Sequence, residues 1–226
     1  MPDFQHLKKA PIAEATLEIR GNIANFINDL KNIFTERFKL EFSELKTQNI
    51  SFNPLKGNIV IPAPSTIGIE ARTETDVIQI RQDGLLFSRI KEYDTFNDIN
   101  KYVQAAIESN IIKDVSRIGC RYINIFSINK NYFPEDFYNL SIYKEDSSEK
   151  CQIFKREVSK INDFDVILIN NIAESSDNIL NITLDVDVSV SKPIDIKQIN
   201  DIVLRTRELK NKIFFSYINQ YKEVFN

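Results

Sequence analysis

Between Ile182 and Ser191 apolar and polar residues alternate without a break, with Ile182, Leu184, Val186, Val188 and Val190 on one side and Thr183, Asp185, Asp187, Ser189 and Ser191 on the other. Successive side chains of a β-strand point to opposite faces, so this run reads as a strand that packs one face and wets the other. A helix would wind the aspartates into the same stripe as the valines. The same period opens the chain, where Ala15, Leu17 and Ile19 oppose Glu14, Thr16, Glu18 and Arg20. Further β-rich runs follow: NISF, NIVIP, TIGIEART, VIQIR and LLFSRI between Gln48 and Ile90, a long RIGCRYINIFSI from Arg117, then LSIY, CQIFKREV and DVILINNI. Asp83-Gly84 reads as a hairpin turn, because glycine takes positive φ at low cost.

Three segments switch to helical spacing. Ile23, Phe26, Ile27, Leu30, Ile33, Phe34 and Phe38 form one stripe of a helix over 22–38. Thr95 opens a second, with Asp98 three residues on and Phe96, Ile99, Tyr102, Val103, Ala106 and Ile107 along its apolar side. Asp195, after Pro193 and with Gln198 following, opens a third that carries Ile199, Ile202, Val203, Leu209, Ile213, Phe214, Ile218 and Tyr221. A helical turn is expected at Phe133 to Tyr138. The order implies an α+β fold, an antiparallel sheet with long helices on one face and the other face free.

No linker separates the two halves near Ser109 to Asp114, so residues 1–226 are expected to form a single domain. Thr95-Phe-Asn-Asp-Ile-Asn-Lys-Tyr-Val matches Asp195-Ile-Lys-Gln-Ile-Asn-Asp-Ile-Val in its cap and at Ile99/Ile199, Asn100/Asn200 and Val103/Val203. This suggests a duplicated β-α-β(4)-α unit, with repeats 1–113 and 114–226.

Several chemistries lack their usual carriers. The single histidine, His6, lies near the start, which removes the common general acid/base and metal ligand. The five glycines stand singly rather than in a phosphate-cradling loop. Cys120 and Cys151 fall inside strand-like runs and read as small buried hydrophobes, too few for a disulfide framework or a four-thiolate zinc site. No cofactor or metal is expected. A net charge of −3 gives no general field for a polyanion. The charged opening segment and the absence of long apolar runs lead to an expectation of a cytoplasmic protein with no secretory signal and no membrane partner.

Three segments stand together in order: Ala10-Pro-Ile-Ala-Glu-Ala-Thr-Leu-Glu-Ile-Arg, Gln79-Ile-Arg-Gln-Asp-Gly-Leu-Leu-Phe-Ser-Arg-Ile followed by Tyr93 and Phe96, and Arg117-Ile-Gly-Cys-Arg-Tyr-Ile-Asn. With these motifs the chain resembles a sporadically distributed, functionally uncharacterised family of bacterial and archaeal proteins, departing from it at Phe96 and Cys120, where Trp and Leu are expected. The resemblance carries no activity; its patchy distribution implies an accessory role in phage defence or a toxin–antitoxin type system.

The candidate binding residues are the strand arginines Arg20, Arg81, Arg89, Arg117 and Arg121, since a guanidinium fork suits carboxylate or phosphate. Cross-strand pairing with Glu14, Glu18, Glu70 or Asp83 is the competing structural reading. Tyr122 and Asn124 share the opposite strand face from Arg121, so the three do not form one compact pocket. Asp185 and Asp187 share a face and could hold a cation, although one strand supplies few of the oxygens needed. The run Arg205, Arg207, Lys210 and Lys212 reads as a solvated helix face. The leading expectation is a non-enzymatic subunit that binds another protein through a sheet face or edge, with self-association also open. Two others stay beside it: RNA binding through the strand arginines, and a ligand or enzymatic cavity between the sheet and the last helix, lined by Tyr122.

Overall fold

The computed structural model describes residues 11–47, 51–53, 58–60, 65–93, 95–129, 152–176 and 179–218. The described strands are β1 (Ile12–Arg20), β2 (Phe42–Thr47), β3 (Ser51–Asn53), β4 (Asn58–Val60), β5 (Ser65–Arg72), β6 (Asp76–Arg81), β7 (Gly84–Arg89), β8 (Val115–Asn129), β9 (Gln152–Ile161), β10 (Phe164–Ser176) and β11 (Ile179–Ile194). The described helices are α1 (Ile27–Phe38), α2 (Asn97–Glu108) and α3 (Ile199–Ile218).

Nine strands join in one antiparallel sheet of order β2-β5-β6-β7-β1-β8-β11-β10-β9, and β3 pairs with β4 separately. The register explains how the alternation in sequence becomes one core. Phe87, Leu17, Cys120, Val188 and Val166 follow one another across β7, β1, β8, β11 and β10, so the apolar sides of five strands coincide. A slip of one residue would turn each set to the other face. All three helices cover this side. Phe34 of α1 meets Phe87 edge-on at 5.9 Å, Tyr102 of α2 stacks on Phe87 at 5.8 Å, and Lys210 of α3 lies over Tyr122 of β8. Phe34 and Phe87 are fully buried, each contributing about 2–3 kcal/mol of hydrophobic stabilisation.

The α+β architecture is the expected one, with the sheet continuous rather than split. Read outward from the β1–β8 contact, each half places its first strand, then its last, then earlier strands in reverse. This is an equivalence of strand order, while the second-half counterpart of α1 would fall in residues 130–151, outside the described residues. The expected turn at 133–138, the LSIY run, His6, Cys151 and Tyr221 also lie outside them.

Local details differ from expectation. The strand β2 escaped the sequence reading because FSELKT carries only Phe42 and Leu45 as partly covered apolar residues, as an edge strand allows. The hairpin between β6 and β7 turns on Gln82 and Asp83, and Gly84 is already paired with Arg81 and Arg20. What Gly84 supplies is close approach: a Cβ there would lie 2.4 Å from the Ile19 carbonyl oxygen. The first helix begins as a 3₁₀ turn over Ala24–Phe26 and ends at Lys39 in the left-handed region, φ 57°. The carboxylate of Asp195 accepts from the Lys197 amide at 2.8 Å and starts the 3₁₀ turn that leads into α3. No described helix is long and apolar enough to cross a membrane.

Candidate functional site

The sheet side away from the helices carries most of the charge. Arg81, Arg20 and Arg117 lie in one cross-strand row, with Gly84 between the first two. Arg121 sits in the next row but one of β8, opposite Thr16 and Asp187. Each is held. The guanidinium of Arg121 donates from Nε to Asp185 Oδ1 at 2.9 Å and from Nη2 to Oδ2 at 2.7 Å, a bidentate fork that also raises its pKa. The carboxylate of Glu18 accepts from Arg20 Nε at 2.9 Å and from Arg117 Nη1, and Arg117 also lies 3.6 Å from Asp187. The Arg117 side chain folds over Gly119, where no Cβ stands in its way. The amide of Gln79 accepts from Arg81 Nε at 2.9 Å and donates to Glu70 at 2.6 Å.

Arg89 is on the other side. It pairs opposite Ala15, a residue of the helix-covered face, and donates to Asp76 at 3.0 Å, while the Tyr102 hydroxyl donates to the same carboxylate at 2.9 Å. The structure therefore brings four of the five arginines to one face and sets Arg89 apart in a buried polar cluster. Of the expected partners Glu18 pairs with two of these arginines, while Glu70 pairs with Arg72 and reaches Arg81 only through Gln79; the other carboxylates that hold them are Asp76, Asp185 and Asp187.

Asp185 and Asp187 are engaged by arginines. Burial raises the Asp187 pKa, against the pull of Arg117. No group of three or more His, Cys, Asp or Glu among the described residues could hold a metal ion. The polar face of β11 is also drier than alternation alone suggests: Asp185 and Ser189 are both buried at 7% exposure, Asp185 under the Arg121 guanidinium and Ser189 opposite Gly119, over which Arg117 folds.

Tyr122 and Asn124 point under α3, away from Arg121, and are buried. The Tyr122 hydroxyl shares a 2.5 Å hydrogen bond with that of Tyr93. Burial pushes Tyr93 up to about 12 and Tyr122 well above its ordinary range, so both are neutral phenols at pH 7. The Asn124 amide donates to the Leu184 carbonyl at 3.1 Å. Cys120 is buried beside them, its thiol pushed up to about 11 by desolvation.

Lys210 corrects the reading of the last helix. The side chain is 3% exposed, with Nζ 3.3 Å from the centre of the Tyr122 ring, and desolvation lowers its pKa to about 7. Thr206, one turn before it, is fully buried and returns its hydroxyl to the Ile202 carbonyl at 2.7 Å. The signal was present: Ile202, Thr206, Lys210 and Phe214 recur every four residues on the packed stripe. Charge type outweighed position in the sequence reading. Arg207 lies over Phe96 at 4.7 Å and Arg205 over Phe164 at 5.2 Å, so their cationic heads cover aromatic rings at the margin of the core.

At the C-terminal end of the sheet the free face turns apolar. Ile125 is 54% exposed, Phe154 64% and Val158 61%, and the partly covered Ile123, Ile167 and Ile169 lie between them. Along β9 the outward side reads Phe154, Arg156, Val158, Lys160, and among the described strands β9 is the last of the sheet. Neither a family model nor a curated protein matches this chain.

Proposed function

We propose that the protein is a non-enzymatic binding subunit that docks an extended segment of another protein along β9 and the adjoining free face of the sheet. The observation that carries this reading is the alternation of exposed apolar and basic side chains on a terminal strand: Phe154 and Val158, each more than 60% exposed, interleaved with Arg156 and Lys160. An added strand gains affinity from main-chain hydrogen bonds and specificity from alternate side chains. The fitting occupant is a strand that alternates apolar with acidic residues. Symmetric antiparallel pairing of two copies centred on Lys155, Arg156 or Glu157 sets a charge opposite its own copy, which an acidic-apolar partner strand avoids. Basic residues on an edge discourage such self-pairing.

RNA binding through the strand arginines has weaker support. Each of the five already donates to a carboxylate or carboxamide, and a phosphate would have to displace that partner. An accessory role in a phage-defence or toxin–antitoxin type assembly accords with a binding subunit and is the setting we propose for it, in line with the motif resemblance.

The test is capture of partners from native lysate, with nuclease present, by the wild-type chain and by the double variant Phe154→Lys/Val158→Lys. A stoichiometric protein retained by the wild type and lost from the variant is the expected result. An unchanged set of partners, or a complex dissolved by nuclease, would refute it.

A further inference from the structure

Helix α3 lies across β8 and β11 on the covered side and contributes no strand to the sheet, so it can lift without unpairing a ladder. Its contact face is apolar, with Ile199, Ile202, Val203, Phe214 and Ile218 buried, and in the middle of that face stands Lys210. The amine is seated over the Tyr122 ring of β8, 3.3 Å from its centre, and the residue is 3% exposed. Beside Tyr122 the β8–β11 register sets Cys120, Val186 and Val188, all buried. A cation in the centre of a helix–sheet contact ordinarily has an anion to pair with.

Here no described carboxylate fills that role. Strand β8 brings the Cys120 thiol and the Tyr122 hydroxyl, the latter bonded to the Tyr93 hydroxyl, and all three are neutral at pH 7. From α3 itself comes Arg207, a like charge. Strand β11 presents Val186 and Val188, while its Asp185 and Asp187 lie on the opposite face beside Arg121 and Arg117. Helix α2 meets α3 through the neutral amides of Gln104 and Asn200, 2.8 Å apart. Among the described groups the ammonium is therefore left with one favourable partner, the ring face. Burial lowers the pKa of the amine to about 7, against about 10.4 in water. With the helix lifted the amine is wet and keeps its proton up to the higher value. Between the two values the lifted form binds more protons, so its share falls as the pH rises; below pH 7 both forms are protonated and the share is at its highest.

We propose that α3 is a releasable cover over β8 and β11, held weakly shut at neutral pH by the buried Lys210 ammonium and locked when that amine loses its proton. A lift exposes the apolar stripe of α3 together with the Cys120 and Tyr122 surface, which gives the fold two arrangements biased by one proton.

Cys120 reports the lift, because it is buried on the sheet side that the helices cover. In the full-length protein carrying Cys151→Ser it is the one thiol. Its rate of reaction with 2,2′-dithiodipyridine, first order in reagent and divided by that of glutathione at the same pH, measures the open share. At pH 7 the rate should be at least roughly tenfold higher with Lys210 than with Lys210→Met. Between pH 7 and pH 8.5 it should fall roughly tenfold with Lys210 and stay within about threefold in the variant. Addition of 1 M urea should raise it less than about fivefold, since one helix exposes little surface, whereas unfolding of the whole domain gives more than about tenfold. The pH profile with Lys210 in place decides the matter if Lys210→Met does not fold. A rate independent of pH over that interval, equal rates in the two proteins at pH 7, or the urea response of global unfolding would overturn the proposal.

Discussion

Replacing Lys210 by methionine should make the protein more stable at neutral pH, and the gain should fade as the solution becomes alkaline. The ammonium is surrounded by groups that carry no negative charge at pH 7: the Cys120 thiol, pushed up to about 11, and the Tyr122 hydroxyl, held higher still, with Arg207 adding like charge. Desolvation therefore goes unopposed by an anion, and the folded pKa falls to about 7. In the unfolded chain the lysine titrates at about 10.4, so between those values the unfolded state binds more protons and stability rises with pH. The penalty is complete below the folded pKa and gone above the unfolded one. At pH 7 it is on the order of 4 kcal/mol, partly offset by the contact with the Tyr122 ring, which contributes about 2 kcal/mol when desolvated. The net expectation is a gain of about 2 kcal/mol for Lys210→Met at pH 7, or roughly 4–8 °C in Tm for a chain of this size. The assay is urea unfolding of both proteins from pH 6 to pH 10. A variant less stable than wild type at pH 7, or a difference that stays constant across the range, would refute the reasoning.

Arg121→Ala strips the bidentate partner from the buried Asp185 carboxylate and should cost about 1–2 kcal/mol in urea unfolding, toward the low end of such losses because Arg121 is itself 48% exposed. Removing both partners together should cost less than the sum of the single changes. Gly84→Ala drives a Cβ against the Ile19 carbonyl and the Arg20 Cα, both backbone, and should lower Tm by roughly 4–8 °C, the shift that about 2 kcal/mol of overpacking gives. In Gly119→Ala the new methyl meets the flexible end of Arg117, so a loss well below that of Gly84→Ala is expected in the same melt.

The architecture was legible wherever one physical period dominated. Strand β11 declares itself by alternation, and Leu17, Cys120 and Val188 line up because each occupies the apolar phase of its own strand. The start at Asp195 was readable from a side chain that does cap, accepting from the Lys197 amide, whereas the expected Thr95 cap is not made: the second helix starts at Asn97 after Phe96 without a side-chain cap, and it is Asp98 that accepts from the Thr95 amide at 3.0 Å. Strand β2 was missed because an edge strand needs little apolar surface. Strand order and partnership are another matter, since Arg121 finds Asp185 across 64 residues of sequence and nothing in either neighbourhood announces the pair. Lys210 reads as solvated by residue type, whereas its position on the packed stripe of the last helix decides its burial. Exposure of Phe154 and Val158 likewise depends on the place of β9 as the last described strand of the sheet, a property of topology rather than of the run CQIFKREV.

The docking role of strand β9 is tested most directly by amide hydrogen exchange of the protein free and bound to its captured partner. Slowed exchange concentrated in Gln152–Ile161, with the β2 edge at Phe42–Thr47 unchanged, is the predicted result. Protection confined to other elements, with β9 exchanging as fast in the complex as in the free protein, would contradict it.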